Sequence, residues 1–397
     1  MTTSRRDVPL GYLRTFLTLL VVAHHAALAY HPFAPPPATS LGARPLLWTA
    51  FPVVDAQKWP GAALFVGFND TFFMSLMFLI SGVFAWPSLV RKGCAAFARD
   101  RAIKLGVPFV VAVALLSPLA YYPSYLATGA RPGLRPFLTE WLALGTWPSG
   151  PAWFLWVLLA FGLAAALVHH AFPPVGPALG RLSAELSVRP GMYALALVAA
   201  SALAYLPMAA AFSPESWADF GPFWVQSSRL LHYGVYFAAG VGLGACGLDR
   251  GLLAYDGRLA RRWPFWVLAS LTAFVLAFVA LFAILRTYEG GGSGPSALLS
   301  ALGNFTYVLS CAASSLALLA VFIRFARVEH PVANHLSTNA YGIYLLHYVC
   351  VSFLQFTLLG TEVAGGLKMA LVFVGAVGLS WAVTMALRKI PAIRRLI

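Results

Sequence analysis

Three ionisable side chains sit in an otherwise apolar run near the N-terminus. The run is LRTFLTLLVVAHHAALAY, residues 13–30, and the three are Arg14, His24 and His25. A charged group at mid-bilayer costs at least ~2.5–3.5 kcal/mol on insertion scales, so such residues persist where they face a polar cavity or one another. Arg14 and His25 are eleven residues apart. At ~100° per residue this is three turns plus about 20°, with an axial rise of about 16 Å. The pair therefore shares one helix face, and His24 points roughly 100° away. Imidazole is the side chain suited to taking a proton near neutral pH. An arginine offers a permanent cation and a planar fork of donors that fits phosphate. Together they suggest a passage with an anionic ligand at one end and proton chemistry at the other. The plainer readings are a snorkelling arginine and a hydrogen-bonded structural histidine; a shared face weighs against both at once.

Further chemistry-bearing residues recur downstream. In FARDRAIKLGVPF, residues 97–109, Arg101 and Lys104 are three apart and share a helix face, with Arg99 beside them. They read as a clamp for phosphates, or as ordinary charge bias at a membrane boundary. In STNAYGIYLLHYVCV, residues 337–351, Asn339 can line a helix start, and Tyr341, Tyr344 and His347 form a drifting stripe. The alternative there is an interhelical hydrogen bond. Asp70 in GFNDTFFMSLMFLISG lies at the expected outer start of a span, as an N-terminal cap or as a cavity carboxylate that orients an imidazole or holds a hydroxyl. TWPSGPAWFLW, residues 146–156, carries Trp153 in a setting suited to sugar stacking or to an interfacial aromatic belt.

The elements that must position these residues are membrane spans. Of 397 residues, 60% are hydrophobic and only 10% are charged, more apolar surface than a soluble domain of this size can hide. Apolar stretches of span length recur throughout. Ten are expected: 10–30, 71–90, 105–126, 152–172, 190–212, 230–248, 264–285, 302–323, 338–359 and 367–387. The reading is an all-α polytopic helical bundle with one membrane domain over 1–397. The first apolar run lacks a small-residue cleavage site and reads as a retained helix. Ten spans put both termini on one side. Sorted by loop, nineteen of the 27 Lys and Arg fall on the side of the termini, seven on the other, and Arg14 lies within a span. Positive charge favours the cytoplasm, so both termini are expected there. This accounts for most of the net charge of +14, and nucleic acid is not needed as a partner. Cys94, Cys246, Cys311 and Cys350 are scattered without metal or disulfide spacing. The adjacent His24 and His25 diverge, unlike a zinc-binding i, i+4 pair, and no metal is expected.

The chain resembles the acyltransferase-3 superfamily of integral membrane acyltransferases. The matching features are Arg-x10-His (Arg14, His25), FFMSLMFLISG at 72–82, the basic RDRAIKLGVPF, WFL at 153–155 and NAYGIYLLH at 339–347. They run in order over about residues 8–390. The stand-alone form is similar to polysaccharide O-acyltransferases and to succinyltransferases of periplasmic glucans. The resemblance implies transfer of an acyl group, acetyl or succinyl, from cytoplasmic acyl-CoA to a hydroxyl of a cell-envelope glycan or similar acceptor. The enzyme would sit in the inner membrane, with acyl-CoA as co-substrate and no tightly bound cofactor. His25 would carry over as the essential histidine and Arg14 as its motif partner, with phosphates held by Arg14, Arg99, Arg101 and Lys104. Asp70, Trp153, Asn339, Tyr341, Tyr344 and His347 would line the acceptor cavity. The family commonly has Arg-x2-Arg where this chain has Arg101 and Lys104, which keeps the charge and loses one planar fork. Transfer could be direct or pass through an acyl-histidine. A secondary transporter or flippase of an anionic or glycolipid substrate is the other class. Against it stand the lack of a repeat between halves and few acidic residues within spans.

Overall fold

The computed structural model describes residues 8–289 and 294–397. Arg5 and Arg6, counted above among the basic residues, lie outside them. The chain is a helical membrane bundle. Among the described residues, nine helices are long and apolar enough to cross a bilayer: α1 (Val8–Leu28), α2 (Pro60–Lys92), α3 (Cys94–Ala127), one spanning Gly150–Ala171, Pro190–Phe212, Trp263–Arg286, Ala297–Phe325, Pro331–Thr357 and Gly365–Leu387. The expected span at 230–248 is a 17-residue helix, Leu230–Cys246, buried among the others. After α3 come α4 (Leu134–Ala143), α5 (Trp153–Ala171), α6 (Val175–Ser187) and α7 (Pro190–Phe212). Then follow α8 (Leu230–Cys246), α9 (Trp263–Arg286), α10 (Ala297–Phe325), α11 (Pro331–Thr357) and α12 (Gly365–Leu387).

Glycine lets α8 reach the core. A Cβ on Gly240 would stand 2.0 Å from the Leu79 carbonyl oxygen, and one on Gly82 would stand 2.2 Å from that of Phe237. Without side chains at these positions, α2 and α8 bring their backbones together, the close approach that small residues permit between membrane helices. α3 bends for a different reason. Pro108 and Pro118 each lack an N–H and crowd the preceding turn. Wide π turns at Ala102–Gly106 and Ala112–Leu116 precede them and relieve the clash.

One expectation is corrected here. The second span begins at Pro60, not near 71, so Asp70 lies well inside a helix and is no cap. The fold also holds a short hairpin, β1 (Trp217–Phe220) and β2 (Phe223–Gln226), with Trp217 opposite Gln226. The linker 29–59 is built rather than loose. Trp48 donates to the Leu41 carbonyl (3.0 Å) and packs on Tyr121 and Trp141. Tyr121 and Ser124 of α3 donate to the carbonyls of Thr49 (2.8 Å) and Pro52 (2.7 Å). Asp55 meets Lys368 of α12 at 2.7 Å, both side chains almost fully buried. Lys368 is a staple between linker and bundle.

Candidate functional site

α1 lies beside α11, both running the same way. Gly11 sits against Ser337, and His25 against His347 and Tyr348. Gln355 of α11 donates to the His25 carbonyl at 2.9 Å. This side-by-side alignment fixes the height of His25. Its ring is fixed too. His25 Nδ1 lies 2.8 Å from the Val21 carbonyl oxygen. A carbonyl only accepts, so the proton is on Nδ1 and the lone pair is on Nε2. The same logic holds for His347, whose Nδ1 donates to the Tyr344 carbonyl at 2.6 Å. The His347 lone pair, on Nε2, is 3.4 Å from His25 Nδ1. The one Nδ1 proton bonds to Val21, with His347 Nε2 as a longer second acceptor, and the accepting nitrogen left over is His25 Nε2.

His25 lines a cavity of about 930 Å³. Its walls carry His24, Asp70, Phe73, Tyr121, Trp153, Trp217, Trp224, Tyr233, Tyr344 and Tyr348, and its rim carries Arg44, Glu215 and Asp219. The linker from Arg44 to Phe51, the Pro148–Pro151 turn and the hairpin enclose it. Main-chain and indole contacts hold the hairpin in place: Trp147 N–H donates to Gly221 (3.1 Å) and Trp156 Nε1 to Trp224 (2.9 Å). Trp153 stacks on Tyr233 (5.6 Å between centroids) and meets Trp217 edge-on at 5.8 Å. Tyr344 hydroxyl donates to the Pro151 carbonyl, tying α11 to the turn.

Asp70 faces the cavity from α2. Arg229, at the start of α8, holds one of its oxygens at 2.6 Å and its backbone carbonyl at 3.3 Å. The Arg229 guanidinium also lies over the Tyr307 ring, 4.8 Å from its centroid. Sequence reasoning put Arg229 among loop charges and missed it. A signal existed: it directly precedes an apolar run, and Asp70 is an acidic residue within a span. His24 also lines the cavity, from the neighbouring flank of α1. Its ring stacks on Phe73 at 5.0 Å and lies 5.5 Å from that of His25. His24 Nδ1 is buried without a partner. His31, half-buried in the linker, is held below its ordinary pKa by burial and by Lys58.

Other expected residues lie elsewhere. Arg14, Arg99, Arg101 and Lys104 are not among the lining residues. Arg14 is exposed and has no side-chain partner among the described residues. Arg101 stacks on Phe97 (4.9 Å) near Gly162 of α5, with its Nε buried and unpaired. Lys104 pairs with Asp100 at 3.0 Å, and Lys92 shares that carboxylate at 2.8 Å. The π turn between Arg101 and Gly106 changes the helix phase, so the two cations serve different neighbours. Asn339 is buried against the His335 carbonyl (2.8 Å), and Tyr341 donates to the Lys104 carbonyl (2.6 Å); neither reaches the cavity. His347 stands behind His25 rather than in the wall.

Among the described residues, no cluster of three or more His, Cys, Asp or Glu is placed to hold a metal ion. The arrangement offers one oriented imidazole lone pair, a carboxylate and stacked aromatic faces around a space large enough for sugar-sized groups. A family model described as an acyltransferase domain matches residues 9–385. Comparison with curated proteins and with solved structures gives no match.

Proposed function

Because the chain belongs to the acyltransferase-3 family, we propose that it transfers an acyl group from cytoplasmic acyl-CoA to a hydroxyl of a cell-envelope glycan, at His25. The observation that carries this reading is the tautomer of His25. With Nδ1 committed to Val21, only Nε2 is left to take a proton, and the ring borders the cavity. A general base needs such a fixed, free lone pair. The acceptor enters through the outer cavity, where Trp153 and Trp217 stack on a sugar ring and Asp70 accepts from a neighbouring hydroxyl. The donor comes from the face where α1 begins, with Arg14 near its phosphates. Both termini lie at that cytoplasmic face of the inner membrane.

His25 Nε2 takes the hydroxyl proton while the oxygen attacks the thioester carbonyl. The carbon–sulfur bond then breaks, and the departing thiolate takes the proton back from the imidazolium. His347 Nε2, at 3.4 Å, is a second and longer acceptor for the Nδ1 proton held by Val21, and it stabilises the transient cation. No covalent enzyme intermediate is required.

The test is transfer from acetyl-CoA or succinyl-CoA to a supplied glycan by the purified protein. His25→Ala is expected to lose about 10²–10⁴-fold in rate and to keep CoA binding by calorimetry. Full turnover by this variant would remove His25 from the chemistry.

A further inference from the structure

A second cavity, of about 700 Å³, lies at the far end of α12. It is lined by Met385, Arg388, Lys389, Pro391, Arg394 and Arg395. Four of these six residues are cations and none is acidic. The sequence makes the groove. α12 ends at Leu387, and the proline at 391 holds Ile390 extended (φ −85°, ψ 116°). A single new turn, Pro391–Arg394, then faces Arg394 and Arg395 toward the same space as Arg388 and Lys389.

Among the described residues these charges have no carboxylate partner. Arg388 donates to the Thr338 carbonyl of α11. No ion pair among the described residues involves Arg388, Lys389, Arg394 or Arg395, whereas Lys92, Lys104, Arg229, Arg327 and Lys368 each have a carboxylate. The helix C-terminus supplies about half a negative charge, and its effect fades within the last turn. Among the described residues, Arg394 and Arg395 are left without a carboxylate. Guanidinium forks beside an ammonium, converging on one cavity, match the geometry of phosphate oxygens. The groove also sits beside the start of α1. Arg388 reaches Thr338, and the adjacent Ser337 touches Gly11. Residues 388–395 follow the segment matched by the family model, which ends at 385.

We propose that this groove binds a ligand bearing clustered phosphates. Two sources share that chemistry at a membrane surface. One is the nucleotide end of CoA, which rests on the transfer reading above. The other is the headgroup of an anionic lipid, which fits the exposed apolar flank of α12 at Leu379 and Val383. CoA is the more specific candidate, because the expected clamp is already engaged: Lys104 is tied to Asp100, and Arg101 is stacked on Phe97.

The experiment uses the full chain, wild type and Arg394→Gln/Arg395→Gln, with Lys389→Gln as a milder variant that guards against misfolding. CoA and inorganic diphosphate are titrated by calorimetry in zwitterionic detergent. Melting is then followed in phosphatidylcholine vesicles with and without phosphatidylglycerol. The double variant is expected to lose at least about tenfold in affinity, or about 1.4 kcal/mol, for the diphosphate probe. A parallel loss for CoA identifies the soluble source. Loss of only the phosphatidylglycerol-dependent melting shift identifies the lipid. Unchanged affinity for both probes together with an unchanged lipid shift overturns the proposal. His25→Ala in parallel separates the two readings. CoA binding and a lipid shift that are both intact in every variant defeat the groove alone. Diphosphate binding without any CoA binding defeats the donor assignment alone.

Discussion

His347 Nε2 stands 3.4 Å from His25 Nδ1, across two helices whose residues are 322 apart in sequence. Each ring is anchored by its own helix, His25 to Val21 and His347 to Tyr344. The geometry makes His347 a positioning residue. It accepts from the nitrogen that does not face the acceptor.

His347→Phe keeps the ring volume and removes the acceptor. Its turnover number is expected to fall about 10-fold or more with acceptor KM nearly unchanged, the pattern of an interaction made mainly in the transition state. His347→Gln, which restores an acceptor, is expected to recover part of the loss. Steady-state kinetics decide it, and equal loss in both variants would mark a purely structural role.

The Asp70–Arg229 pair should be far more sensitive to single than to double replacement. Arg229→Met leaves a carboxylate without its partner beside the cavity, and breaking a buried pair in this way costs about 3–5 kcal/mol. Asp70 is partly exposed to the cavity, so the lower end of that range is expected. Asp70→Leu/Arg229→Met should recover much of the melting temperature without recovering acceptor affinity. A double variant less stable than both singles would argue against this account.

Gly240 tests the helix contact under the site. Gly240→Val must push α8 off α2, because even a Cβ there would overlap the Leu79 carbonyl at 2.0 Å. Loss of folded protein on size-exclusion chromatography is expected. Gly234→Ala, whose Cβ would stand 3.7 Å from Phe161, is expected to behave as wild type.

Lys368→Met tests the staple of the linker. It leaves Asp55 buried and unpaired, which favours release of the segment that roofs the cavity. Faster proteolysis within residues 40–58 is expected, with acceptor KM raised and CoA affinity unchanged. Unaltered protease resistance would show that the Trp48–Tyr121–Trp141 cluster holds the roof alone.

Much of this protein was legible from one dimension. Mean hydropathy and the length of the apolar runs fixed a helical membrane bundle, because a bilayer admits few other ways to satisfy backbone hydrogen bonds. Helix periodicity predicts one face for Arg14 and His25, but only His25 lines the cavity; motif order pointed to the family. Periodicity failed wherever a helix was irregular or a partner came from elsewhere. The π turn at Ala102–Gly106 separated Arg101 from Lys104. A helix start eleven residues earlier turned Asp70 from a cap into a cavity carboxylate. Only the tertiary structure could pair Arg229 with Asp70, Lys368 with Asp55 and His347 with His25. Those contacts join residues 159, 313 and 322 positions apart. Sequence reports which charges are costly in a membrane; the packing of distant helices decides which charges neutralise them.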